Sequence, residues 1–160
     1  FSLGVEKIAL SSSVLSNSNL ITKIANRVGS QSVIVVLDVK KKLLGGYEVY
    51  THNGKKATGI NPLKFVEEAE RLGAGEIVIN SIDKDGVMKG YDLDLIEKVR
   101  GKIALPMTVL GGAGSLDDIE KIIKRHGIIG IAAGSLFVFK GPYKAVLINY
   151  PNREEKNKLF

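Results

Sequence analysis

The sequence predicts an α/β protein in which parallel strands alternate with helices, and three observations carry that prediction. Apolar runs such as SVIVVLDV (32–39), EIVINSI (76–82) and MTVL (107–110) have the length and β-branched content of buried parallel strands. Between them lie segments with apolar residues at helical spacing, so strand and helix alternate five times with units about 25–30 residues apart, the pattern of right-handed crossovers. Finally, the runs hand over to small residues in SIDKDG, LGGAG and AAGSLF, at the strand ends where parallel-sheet proteins build their sites.

The elements follow in order. Glu6–Ser11 reads as a strand, and Asn17–Val28 as a helix with Leu20, Ile21, Ile24, Ala25 and Val28 on one face. Ser32–Val39 is a buried strand with Asp38 arriving at its end. Tyr47–Thr51 and Lys55–Thr58, joined by His52-Asn53-Gly54, read as a hairpin inserted after that strand. Then come a helix at Pro62–Leu72, a strand at Glu76–Ile82, a helix at Asp92–Val99, a strand at Met107–Leu110, a helix at Leu116–Lys124 and a last strand at Ile128–Ala133. Tyr143–Tyr150 is apolar enough for a short strand or helix before the charged end. RVGSQSVIVVLDV and RLGAGEIVINSID repeat one pattern, Gly before a strand and Asp at its end. These grounds admit both an open doubly wound sheet and a (β/α)8 barrel, although five strands are too few to close the barrel.

Composition narrows the function. With 160 residues, 44% hydrophobic and 25% charged, the chain can bury one core and is not a disordered protein. No apolar run approaches the roughly 18–20 residues of a membrane span, and no secretory leader pattern opens the chain. The absence of cysteine excludes disulfides and thiolate metal sites and fits a reducing cytoplasm. The net charge of +6 raises the question of nucleic acid, but the lysines fall in separate turns (Lys40–Lys42, Lys55–Lys56) or among acids on helices, with no interleaved aromatics. A solvated surface or a small anionic ligand fits the charge better. His52 and His126 have no carboxylate spacing that suits a metal, so no metal or cofactor is expected.

Glycine at consecutive strand ends lets ligand oxygens approach backbone N–H groups, and this points to a phosphorylated small molecule. Gly86, Gly112, Gly134 and the hydroxyl of Ser135 are the candidate contacts. Asp38 is either an acid/base group held at a buried strand end or a cap for the next turn. Asp83 and Asp85 suit either ligand hydroxyls or Asx-turn chemistry; Asp85 is assigned to the site and Asp83 to structure.

At this point the chain resembles the cyclase (synthase) subunit of imidazole glycerol phosphate synthase and its close paralogues, which are (β/α)8 barrels. The matching strings are GVEKIALSS, GSQSVIVVLDVK, GGYEVYTHNGKKATGI, GAGEIVINSIDKDGVMKGYD, LGGAG and AAGSLFVF, in the family's order. The resemblance implies that residues 1–160 form a single partial barrel domain, the C-terminal five strands, beginning at about the fourth. It implies a lyase/cyclase of histidine biosynthesis that uses ammonia from a glutaminase partner and forms imidazole glycerol phosphate and aminoimidazole carboxamide ribotide. Asp38 then matches a catalytic aspartate, while the family's other catalytic aspartate, on the first strand, has no counterpart here, so this segment alone is expected to be inactive. Ser11, Asp85, Gly86, Gly112, Gly134 and Ser135 match substrate- or phosphate-binding positions. Lys7 and Glu76 match charged residues that form a gate on the ammonia passage.

Departures from the family matter as well. Ser11-Ser12 stands where the cyclase has Asn-Thr, Leu110 where it has Ser, and AAGS carries an extra glycine. The tail KAVLINYPNREEK resembles paralogues encoded with surface-polysaccharide genes, so an ammonia-dependent sugar-modifying synthase is an alternative, and a noncatalytic phosphate-binding half-barrel is a second. Unpaired edge strands and an exposed part of a barrel core imply self-association of the isolated segment.

Overall fold

The computed structural model describes residues 1–160. Strand β1 (Ile8–Leu10) leads through two short helices, α1 (Ser12–Ser16) and α2 (Asn19–Val28), to β2 (Val33–Lys41). A hairpin, β3 (Tyr47–Thr51) and β4 (Lys56–Ala57), follows, then α3 (Pro62–Arg71), β5 (Glu76–Ser81), α4 (Leu93–Arg100), β6 (Met107–Leu110), α5 (Leu116–His126) and β7 (Gly130–Ile131). The C-terminal segment holds α6 (Ser135–Val138), a minimal hairpin of β8 (Phe139–Lys140) and β9 (Ala145–Val146), and α7 (Arg153–Asn157). No helix is long and apolar enough to cross a membrane.

The sheet decides between the two architectures. β1, β2, β5, β6 and β7 are parallel, and each pairs with the next parallel strand in chain order. A doubly wound sheet reverses direction at a switch point, and no reversal occurs. The chain is a mixed α/β segment of a (β/α)8 barrel. The antiparallel hairpin adds to β2 beyond the reach of β1: β1 pairs with Val33–Val35, whereas β3 pairs with Asp38–Lys41.

One face of the sheet is sealed. Val33, Val35, Leu37 and Val39 of β2, Ile77 and Ile79 of β5, and Met107 and Val109 of β6 are buried against Ile21, Val66, Ala69, Leu95, Ile96, Val99, Ile119 and Ile122 of the helices. Each of these side chains larger than Ala69 contributes about 1.5–3 kcal/mol on burial. The alternate residues form the inner face: Ile34 and Glu76, then Val36, Val78 and Thr108, then Asp38, Asn80 and Leu110. These are only half-buried, so the strands are not covered on both sides as their apolar runs suggest.

Several boundaries differ from those read in the sequence. The first strand is three residues long, and α1 occupies the stretch between the expected strand and the expected helix. The helix expected to stop at Lys124 runs to His126, where Gly127 at φ +66 ends it. The last strand is Gly130–Ile131 rather than Ile128–Ala133, with Ile128 fully exposed, because β7 has a neighbour on one side alone and only two residues in register with β6. The apolar Tyr143–Tyr150 tail forms no more than β9, whereas the charged end makes α7, nucleated by a reciprocal Asn152–Glu155 capping box.

Candidate functional site

The inner face carries polar groups at its two ends. At the N-terminal end, the Lys7 ammonium donates to Glu76 Oε2 at 2.8 Å and the Thr108 hydroxyl donates to Glu76 Oε1 at 2.8 Å. Burial pushes the Glu76 carboxyl up, but the two hydrogen bonds and the Lys7 charge outweigh it and leave the group below its ordinary range. Lys7 and Glu76, paired from sequence resemblance, are therefore an ion pair in space.

At the C-terminal end, Asp38 is level with Asn80 of β5, whose Nδ2 donates to Asp38 Oδ1 at 2.9 Å. The sequence repeat ends both strands in an aspartate, and the register levels Asp38 with Asn80 rather than with Asp83. Asp83 lies beyond the strand, where its carboxylate accepts the backbone N–H of Lys41 at 2.8 Å, the structural role expected of it. On the other edge of β2, Tyr50 is the cross-strand partner of Asp38, so its ring shares the inner face, with the Lys40 ammonium 5.6 Å from the ring centroid.

The hairpin that supplies Tyr50 is fixed at both ends. His52, Asn53 and Gly54 all take positive φ, and the tip packs close to Ile82 just past β5. At its root the buried Tyr47 hydroxyl reaches Asp92 and Asp94 at 3.0 Å, while Asp92 also caps α4 through the N–H of Leu95. Burial first, and then the two acceptor carboxylates, drive the Tyr47 pKa upward.

The glycine-bearing strand ends converge. Asp85, Gly86, Gly112, Gly134 and Ser135 line one small depression together with Leu110, Gly111 and Ala113. The backbone N–H groups of Gly86, Gly112 and Gly134 donate to no acceptor in the chain. By contrast, the start of α5 is satisfied internally, since Asp118 accepts from Gly114 and Ser115 while the Ser115 hydroxyl accepts from Asp118 N–H. The free donors of this region thus lie in the strand-end loops. Those loops are held close: at Gly112 (φ +120) a Cβ would stand 2.3 Å from the Gly90 carbonyl oxygen, and Gly90 N–H donates to Gly112 O at 2.8 Å. Tyr91 adds a tie from its hydroxyl to Ala132 O at 3.0 Å.

Ser11 is the expected site residue that stands apart. It follows Leu10, the partner of Val35, three residues short of Asp38, and it does not line the glycine depression. A separate cavity of about 600 Å³ lies between α5, β7 and the C-terminal segment. Its walls are apolar, including Ile119, Ile123, Ile128 and Leu159, and it contains neither the carboxylates nor the free N–H groups, so volume alone does not locate the chemistry.

Residues 1–144 match the family described as "Histidine biosynthesis protein". The chain belongs to this family. It is 55% identical over 159 residues to the "Putative imidazole glycerol phosphate synthase subunit hisF3" of Vibrio vulnificus, covering 99% of the chain and 61% of the relative. It is 56% identical over 160 residues to the "Putative imidazole glycerol phosphate synthase subunit HisF" of Leptospira interrogans, covering 63% of that protein. To the imidazole glycerol phosphate synthase subunit HisF of Hyphomonas neptunium it is 37% identical over 136 residues, covering 85% of the chain and 54% of the relative. The chain therefore spans between half and two thirds of the length of these relatives.

Sequence reasoning missed Asn80, Tyr50 and Thr108 as inner-face polar groups. Period-2 alternation through EIVINS held the signal for Asn80, since Ile77 and Ile79 mark one face and leave Asn80 on the other. Nothing local signalled Tyr50, which reaches Asp38 only through the hairpin register.

Proposed function

We propose that this chain is the C-terminal portion of a HisF-type cyclase/lyase that uses ammonia from a glutaminase subunit. Ammonia passes the Lys7–Glu76 pair at the N-terminal end of the barrel and crosses the inner face. It meets a ribulosyl-formimino carboxamide phosphate substrate at the strand ends, yielding imidazole glycerol phosphate and aminoimidazole carboxamide ribotide. Asp38 takes and returns protons during ring closure and cleavage. Gly86, Gly112, Gly134 and Ser135 hold one phosphate through N–H groups and a hydroxyl, and Asp85 accepts from substrate hydroxyls. Ser11 lies at the substrate's far side, beside the end of β1.

The observation that carries this reading is the meeting of unpaired N–H donors from three separate strand ends, on the same end of the sheet as Asp38. Converging donors without acceptors suit an anion with several oxygens.

The experiment uses a full-length chimaera in which this chain replaces the matching segment of the Hyphomonas HisF protein. With ammonium and the histidine-pathway precursor, loss of precursor absorbance is expected, and Asp38→Asn should reduce turnover by about 10²-fold or more while inorganic phosphate still binds. A folded, phosphate-binding chimaera without turnover would overturn the cyclase reading. It would favour the second one, an ammonia-dependent synthase acting on a surface-polysaccharide sugar. That reading is supported by Leu110 and Ser11 at near-site positions and by matches that extend over 99% of the chain in the Vibrio and Leptospira relatives but over 85% with the Hyphomonas protein.

A further inference from the structure

We propose that Asn80 is the positioning residue of Asp38, a role that rests on the reading of Asp38 as the acid/base group. The two residues are register partners on adjacent parallel strands, and the Asn80 Nδ2–H to Asp38 Oδ1 contact is 2.9 Å. Engaging Oδ1 from within the sheet fixes the carboxylate plane and leaves Oδ2 for substrate. A hydrogen bond to a carboxylate is roughly twice as strong as one between neutral groups, so it favours the one orientation that makes it.

Two features show that the carboxamide is held in this orientation. The Asn80 Oδ1 atom is buried and has no donor. Such an orphan acceptor destabilises the fold, whereas an apolar side chain matching the neighbouring Val78 would avoid the penalty, so its presence points to use. A rotated carboxamide would aim Oδ1 at the Asp38 carboxylate, acceptor against acceptor, and lose the contact. On the far side stands Gly111 of the β6 end, at φ +92, where a Cβ would come within 3.0 Å of Asn80 Oδ1 and 2.5 Å of the Ser81 carbonyl oxygen. Glycine there leaves the carboxamide the space it occupies. Asn80 is thus bounded by the acid/base group on one strand and by a glycine on the next.

The test has a kinetic and a structural arm. In the full-length chimaera, Asn80→Val should lower kcat about ten- to a hundredfold with KM within about twofold, the scale of one charge-assisted hydrogen bond. Inorganic phosphate binding should be unchanged, and the melting temperature should hold or rise because the orphan acceptor is gone. Asn80→Asp, nearly isosteric, should be worse than Asn80→Val, since it sets a second carboxylate against Asp38; a packing role would rank them the other way. Combining Asn80→Val with Asp38→Asn should cost nothing beyond Asp38→Asn alone. In the same chimaera, the Asn80 side-chain amide resonances should move on Asp38→Ala, which reads the contact without turnover and without depending on how the Asn80 variants fold. Full turnover of Asn80→Val beside an inactive Asp38→Asn would overturn the inference alone. Full turnover of Asp38→Asn would overturn both it and the acid/base reading. If the chimaera itself is inactive, the amide resonances decide, and their indifference to Asp38→Ala would overturn the contact.

Discussion

At the scale of single residues, two of the glycines proposed to hold the phosphate do different work. Gly112 is required by its surroundings, with a positive φ and the Gly90 backbone 2.3 Å from any added Cβ. Gly134 has φ −108 and open space around the position of a Cβ. Gly112→Ala should therefore destabilise the chain by about 1–3 kcal/mol and weaken phosphate binding. Gly134→Ala should change stability by less than about 0.5 kcal/mol yet still weaken phosphate binding. Thermal melts with phosphate titration separate the two, and unaltered phosphate affinity in Gly134→Ala would remove that residue from the site. Glu76 gives a pH prediction. Its folded pKa lies below the unfolded value near 4.5, so its stabilisation is complete above that value and is lost as pH falls through the depressed folded pKa. The stability gap between the parent chain and Glu76→Gln in denaturant titrations should be present at pH 7 and shrink in acid; a constant gap would mean that the Lys7 and Thr108 contacts do not act through charge.

At the scale of elements, the strands and helices around the site were legible because their signals are local. LDDIEKIIKRH announces α5 through its 3–4 apolar spacing, although the reading stops two residues short of His126, and His52-Asn53-Gly54 announces the hairpin turn. Boundaries set by neighbours were not legible: β7 shortens because it has one partner, and β2 extends to Lys41 because β3 pairs with its last residues. The tie between the hairpin and α4 is equally nonlocal, since Tyr47 and Asp92 are 45 residues apart. Tyr47→Phe keeps the ring and removes the hydroxyl that both carboxylates accept. It should cost about 1–2 kcal/mol and speed hydrogen exchange in β3 ahead of the other strands. Unchanged exchange in β3 would show that the hairpin stands without this tie.

For the molecule as a whole, the consecutive parallel order makes an open sheet with β7 at one margin, β1 and the hairpin strand β4 at the other, and a half-exposed inner face. Unpaired strand edges beside apolar surface, including Ile128, Ile148 and Tyr150, favour pairing with another copy. The 160-residue chain should dimerise or aggregate in sedimentation equilibrium; a stable monomer across micromolar concentrations would contradict this. The sequence by itself determined the α/β class, the order of strands and helices, the glycine-marked strand ends and the identities of Asp38, Lys7 and Glu76 as groups to watch. The class, the order, the glycine-marked ends and Asp38 at a buried strand end are written in residues a few positions apart, through periodicity and turn chemistry, whereas Lys7 and Glu76 came from the resemblance to the synthase subunit. Only the tertiary structure decided that the sheet winds in one direction, that Lys7 meets Glu76 across 69 residues, that Asp38 is level with Asn80 rather than Asp83, and that Gly86, Gly112 and Gly134 face one depression. Register and winding arise from pairing between distant segments, and a one-residue slip of β2 or β5, which leaves local patterns untouched, would turn Asp38 or Glu76 and Asn80 to the opposite face.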